Sequence, residues 1–279
     1  MKIVKSPLTY PGGKHRAVRS IAPFIPRGTK EICSPFFGGG SLEVYWASRG
    51  IRVYGYDVFE ALTDFWWGLL HHREDLIRRI ESYHPLARET FYHLQKTYSH
   101  IEDRLERSAV FFVLNKSSFS GLTFSGGMSP GHRDLNPKTI DYLRNFKINN
   151  FSVDRMSFHQ SIPMHKDSLL YLDPPYYIKS HLYGDRGNTH RDFDHEGLVD
   201  ILKSRDRWIL SYNDCETIHD MYSDFHILYP TWKYGISRNK ESSEILILSP
   251  DMSEYANKNG LLKRYSEKVI DTSEQMSLF

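Results

Sequence analysis

The sequence predicts an α/β fold whose sheet is interrupted by a mainly helical insertion, on three observations. A short apolar run passes through a glycine loop into a helical pattern over residues 31–50. Two strand-like runs end abruptly in carboxylates, at Asp57 and at Asp173. Between them, over residues 61–149, strand rhythm gives way to helical periodicity with charged faces. Residues 1–60 and 150–250 are therefore expected to form one discontinuous α/β domain, with 61–149 inserted and 251–279 a tail.

Ser6-Pro7-Leu8-Thr9-Tyr10-Pro11-Gly12-Gly13-Lys14 reads as a turn, with a helix expected from Lys14 through Ile21. Glu31 to Ser34 reads as a strand, Pro35-Phe36-Phe37-Gly38-Gly39-Gly40 as a loop, and Ser41 to Ala47 as a helix that closes at Gly50. The loop has neither the G-x-G-x-x-G spacing of a dinucleotide site nor the GK[ST] of a P-loop. Arg52 to Asp57 is a second strand, whose terminal acid is placed to bond ribose hydroxyls. Loop and acid together point to an adenosine-containing ligand without a diphosphate.

Helices are expected over Leu62–Ile80 and Thr90–Leu114. A turn-rich stretch from Asn115 to Met128 follows, and its continuation to Lys147 carries Arg133, Lys138 and Arg144. Basic, hydroxyl and aromatic side chains on such a loop suit phosphate and base contacts; a solvated surface loop has the same composition. Strands are expected at Phe151–Asp154, Ser168–Leu172, Trp208–Tyr212, Phe225–Tyr229 and Glu244–Leu248. A helix over Phe193–Leu202 has Asp192 or Asp194 as a candidate N-cap, and His195 reads as a packing or capping residue. Ile178 to Arg191 reads as a lid, Trp232 to Ser243 as a basic polar stretch, and residues after Asp251 as a tail without core signal. At Asp173-Pro174-Pro175-Tyr176 the prolines end the ladder, leaving a carboxylate, free carbonyls and a ring at a rigid strand tip.

Composition narrows the class without naming a function. Forty per cent hydrophobic and 25% charged residues in a chain of 279 are ordinary for a globular protein. The N-terminus lacks the apolar core of a signal peptide, no run reaches membrane-spanning length, and no membrane partner is expected. Cys33 and Cys215 are far apart, and His71-His72 has no ligand spacing, so neither a disulfide scaffold nor a metal is expected. The cysteine usage fits a cytoplasmic protein. A net charge of +2 permits a nucleic-acid partner without requiring one.

Five motifs then occur in an informative order: Tyr10-Pro11-Gly12-Gly13-Lys14, Pro35 to Gly40, Tyr54-Gly55-Tyr56-Asp57, Asp173-Pro174-Pro175-Tyr176 and Leu210-Ser211-Tyr212-Asn213-Asp214. That order resembles the Dam-like, D12-class DNA adenine methyltransferases, over about residues 5 to 250. The resemblance implies a Rossmann-like mixed-sheet methyltransferase domain with a target-recognition insertion. It also implies S-adenosylmethionine as cofactor and double-stranded DNA as partner. On these positions it implies cofactor contacts from Tyr10, Lys14, Pro35, Phe36, Phe37, Gly38, Gly40, Asp57 and Asp173. It implies catalysis by Asp173, Pro174, Pro175 and Tyr176, the ring stacking on a flipped adenine. DNA contacts are implied for Asn115, Lys116, Ser120, Leu122, Phe124, Arg133 and Lys138.

The family often carries Asn-Gly-Leu and then an arginine that reads a guanine of GATC; here Ser120 and Phe124 stand at the sensitive places. Phenylalanine cannot make the bidentate guanine contact, so a site other than GATC is expected. The strand tip suits cytosine N4 as well as adenine N6, and an inactive DNA-binding protein of the same fold is a third reading. The oligomeric state and any restriction partner are not readable from the sequence.

Overall fold

The computed structural model describes residues 3–129, 135–177, 193–230 and 244–265. They form a mixed α/β protein of seven strands and twelve α-helices, in two compact units. Arg133, the expected lid over 178–191 and the basic stretch over 232–243 lie outside the described residues.

The first unit contains residues 1–18 and 29–168. Its strands are β1 (Glu31–Ser34), β2 (Arg52–Asp57) and β3 (Phe151–Arg155). All pair in parallel, with β2 central. The single turn α1 (Val18–Ile21), of which only Val18 belongs to this unit, is shorter than expected because Lys14 to Ala17 forms a turn instead. After β1, the backbone passes Gly40 in the left-handed region (φ 66°) and enters α2 (Ser41–Ala47). A Cβ on Gly40 would lie 2.5 Å from the Phe37 ring, and one on Gly55 of β2 would lie 2.1 Å from it. Both glycines therefore make room for Phe37, which stacks on Phe151 at 5.7 Å and meets Trp66 edge-on at 5.4 Å.

Each long expected helix is two. Leu62–Ile80 divides into α3 (Glu60–His71) and α4 (Arg73–Ser82), because His72 leaves the helical region at φ −134°, ψ 38°. Thr90–Leu114 divides into α5 (Arg88–Thr97) and α6 (Arg104–Ser117), the latter opened by Asp103, whose side chain accepts the Glu106 N–H at 2.7 Å. α3 and α6 pack closely: Gly68 admits Ser108, whose hydroxyl donates to the Asp64 carbonyl at 2.6 Å, and Phe65 stacks on Phe112 at 5.3 Å. Asp64, only 3% exposed, is held by Arg104 at 2.6 Å and Arg107 at 2.8 Å. Two further helices, α7 (Pro137–Arg144) and α8 (Phe158–Met164), complete the unit. Asn136 caps the first, and a Ser157–Gln160 capping box opens the second.

The second unit contains residues 19–28 and 169–279. Its strands are β4 (Leu169–Leu172), β5 (Trp208–Asn213), β6 (His226–Leu228) and β7 (Glu244–Leu248). β4 is parallel to β5, and β7 runs antiparallel between β5 and β6, which makes the pairing mixed. Every residue of β4 and β7 is buried, as continuous apolar strands require. Between β4 and β5 lies α9 (His195–Lys203), capped by Asp194, whose carboxylate accepts the Gly197 N–H at 2.9 Å. α10 (Glu216–Met221) follows β5. The expected coreless tail is corrected by α11 (Pro250–Lys258) and α12 (Leu262–Tyr265). Met252, Ala256 and Tyr265 are buried, and Tyr265 packs 5.9 Å from Phe24.

Candidate active site

In the first unit, chemistry collects at the carboxyl ends of β1 and β2. The Phe37 N–H donates to the Tyr56 carbonyl at 2.9 Å, fastening the glycine loop to the end of β2. Asp57 accepts the Gly38 N–H at 2.9 Å on one oxygen and the Phe59 N–H at 3.0 Å on the other. Protein crowds this carboxylate although part of the residue faces solvent; desolvation pushes its pKa up, against backbone N–H donation that favours the ion. Nearby, burial pushes the Tyr56 hydroxyl up to about 12, and it bonds the His165 ring at 2.7 Å.

Tyr10 lies along the glycines. A Cβ on Gly39 would fall 2.6 Å from the Tyr10 Cβ, and one on Gly38 would fall 3.3 Å from its ring. The Tyr10 carbonyl accepts the Gly13 N–H at 3.0 Å. An aromatic face, bare backbone and a carboxylate with lone pairs left over therefore meet. That donor and acceptor set fits a nucleoside: a ring to stack and hydroxyls to bind. Of the other expected contacts, Gly40 turns the loop, while Pro35, Lys14 and Phe37 are buried, Phe37 with its ring in the core. Phe36 is half-buried beside Phe158 at 5.7 Å.

In the second unit, β4 delivers Asp173-Pro174-Pro175-Tyr176 at its carboxyl end. Pro174 is buried; Asp173, Pro175 and Tyr176 are partly exposed. Two residues outside the motif hold it. Asn213, the last residue of β5, accepts the Tyr177 N–H at 2.9 Å and donates back to the Tyr177 carbonyl at 3.0 Å. Glu244, its partner in register on β7, accepts the Tyr176 hydroxyl. Asn213 stood inside a recognised motif, whereas nothing local in the sequence marks Glu244. His195, expected to pack or cap, bonds the Tyr212 hydroxyl through Nδ1. Burial raises that hydroxyl's pKa.

The expected DNA contacts fall into different environments. Ser120, at φ 54°, sits in the turn after α6; Leu122 is 40% exposed there, and Lys138 is exposed on α7. Phe119 in the same turn is 57% exposed, an apolar side chain that the sequence reading passed over. Phe124 instead packs among Tyr98 at 4.5 Å, Phe59 at 6.1 Å and Phe111 at 6.2 Å. Arg144 is engaged by Glu81 at 2.6 Å and by Asp141. Asn115 is 1% exposed, and its amide is turned inward onto Thr9.

A family profile described as the D12 class N6 adenine-specific DNA methyltransferase matches residues 10–236. The chain belongs to this family. It is accordingly an enzyme, a DNA adenine methyltransferase, and its mixed α/β architecture agrees with the Rossmann-like fold expected for that class. The matched span runs from Tyr10 past the strand tip at Asp173 and past Asn213. No curated protein sequence matches the chain significantly. Among the described residues, no helix is long and apolar enough to cross a membrane. Nor do those residues contain a group of three or more His, Cys, Asp or Glu able to hold a metal ion.

Proposed function

We propose that this methyltransferase takes its methyl group from S-adenosylmethionine and places it on N6 of an adenine flipped out of double-stranded DNA. The observation that carries this reading is the held strand tip: a carboxylate, an adjacent carbonyl and an anchored aromatic ring on one short segment.

Tyr10, Gly38 and Asp57 would hold the donor, the ring against its base and the carboxylate on its ribose hydroxyls. Pro35, Phe36, Phe37, Gly40 and Lys14 complete the proposed surroundings, largely by shaping the loop. S-adenosylmethionine supplies a methyl carbon on a positively charged sulfur, a bond that breaks readily when approached in line. The protein's task lies at the amine. An exocyclic amino nitrogen is planar, and its lone pair is spread into the ring, so it attacks poorly. A carboxylate oxygen of Asp173 and the carbonyl of Pro174 accept its two hydrogens and draw the nitrogen towards a pyramidal shape. The lone pair localises, and those bonds strengthen most in the transition state. Asp173 retains hold of the proton that the methylated nitrogen must lose. Pro175 keeps the carbonyl direction rigid. Tyr176 stacks on the extruded base and recovers part of the few kcal/mol of stacking lost on flipping.

DNA contacts are assigned to Ser120, Leu122 and Lys138, with Arg133 and Lys116 as further basic candidates. Phe124, held in its aromatic cluster, offers no bidentate pair to guanine, so GATC is not the proposed site. Asp173→Ala tests the reading: methyl transfer should be lost while the melting temperature stays unchanged. Substantial residual turnover would remove Asp173 from its role.

A further inference from the structure

Asn115 and Lys116 stand at the end of α6, where the resemblance places DNA contacts, yet both bond Thr9 of the N-terminal segment. The Thr9 N–H donates to Asn115 Oδ1 at 3.0 Å, and Asn115 Nδ2 donates back to the Thr9 carbonyl at 2.8 Å. The same Nδ2 reaches the Thr123 hydroxyl at 3.1 Å. Lys116 Nζ donates to the Thr9 hydroxyl at 3.0 Å and lies 6.0 Å from the centre of the Phe112 ring. Gly121 is at φ 71°, and a Cβ there would lie 2.2 Å from the Thr9 carbonyl oxygen. The turn after α6 thus closes around one residue of the N-terminal segment.

That residue immediately precedes Tyr10. A segment containing Pro11-Gly12-Gly13 has few apolar contacts of its own to order it, and Pro11 and Gly12 are exposed. With Thr9 clamped on one side and the Tyr10 carbonyl closed by Gly13 on the other, the ring is fixed against Gly38 and Gly39 before any ligand arrives. Preordering of this kind removes an entropic cost from binding. We infer that Asn115 and Lys116 are positioning residues for the methyl donor, acting through Thr9 on Tyr10. The inference rests on the proposed role of Tyr10 as a donor contact.

The test uses the full chain without DNA. Titration calorimetry with S-adenosylmethionine should show Lys116→Met binding about fivefold more weakly than wild type, the scale of one lost hydrogen bond. Thr9→Val removes the accepting hydroxyl and should weaken binding similarly. In the Thr9→Val background, Lys116→Met should add nothing further. Asn115→Ser should weaken binding more, and its melting curve shows whether the fold persists. A residue serving only DNA leaves DNA-free donor affinity untouched. Equal affinity for wild type and Lys116→Met, or effects that multiply in the double variant, would overturn the inference. Failure of the wild-type chain itself to bind the donor would instead sink the donor reading, and this inference with it.

Discussion

Asp57 combines a structural duty with a proposed chemical one. Its two oxygens gather the Gly38 and Phe59 N–H groups, so the carboxylate shapes the glycine loop even without a ligand. Burial raises its pKa above the usual carboxylate value. Because the folded-state value is the higher one, ionised Asp57 works against folding at neutral pH. That cost fades as pH falls through the raised value. Donor binding follows the opposite sign, since ribose hydroxyls need an ionised acceptor. Affinity for S-adenosylmethionine should decline as pH falls and Asp57 is protonated, at a pH above the ordinary carboxylate value. Calorimetry across mildly acidic buffers checks this, with Asp57→Asn as the control that should lose the transition. A flat profile in wild type would separate Asp57 from the ribose. The acid itself was legible because a strand-terminal carboxylate some twenty residues after a glycine loop has a recognisable chemistry. The fate of Asn115 was not legible. An asparagine beside hydroxyls and glycines looks like a surface reader, and only tertiary contact with Thr9, 106 positions away, shows it buried.

The strands were the most readable elements. β4, β5 and β7 are apolar and buried nearly throughout, and their runs end where a proline or a polar residue halts the ladder. Helix boundaries were harder. Periodicity carries across His72, whose backbone departs from the helix without any proline or glycine to announce it. The expected helix also ran through Asp103, whose side chain accepts the Glu106 N–H and opens α6. α11 escaped because a nine-residue helix burying Met252 and Ala256 shows little apolar content. Two outcomes belong to this scale. Asp64 joins α3 to α6 through Arg104 and Arg107, so Asp64→Ala removes the buried carboxylate that both guanidinium groups share. It should cost about 3 kcal/mol in urea unfolding, and a loss below about 1 kcal/mol would mean the pair is dispensable. Asn213 joins β5 to the segment after the prolines. Asn213→Ala should slow single-turnover methyl transfer about tenfold, the scale of one lost anchoring interaction, and leave donor affinity unchanged. A change in donor affinity alone would contradict that placement.

The whole molecule divides its work between two units. The first carries the glycine loop, Asp57 and the helices that bear the proposed DNA contacts; the second carries the strand tip and the side chains that hold it. The order of motifs along the chain made the reaction class legible, and the match over residues 10–236 shows the family. The recognised DNA sequence was not legible, because Phe124, where the resemblance leads one to expect a reading arginine, is part of an aromatic cluster. If Lys138 and its basic neighbours engage phosphates, DNA affinity should fall linearly with salt on logarithmic axes, and Lys138→Ala should flatten the slope by about one. The central claim is that the Asp173-Pro174-Pro175-Tyr176 tip methylates an adenine amine. Its most direct measurement is transfer of labelled methyl from S-adenosylmethionine into unmethylated genomic DNA, followed by digestion to nucleosides. The account predicts label in N6-methyladenine, abolished by Asp173→Ala; label in N4-methylcytosine, or none from a chain that binds both donor and DNA, would contradict it.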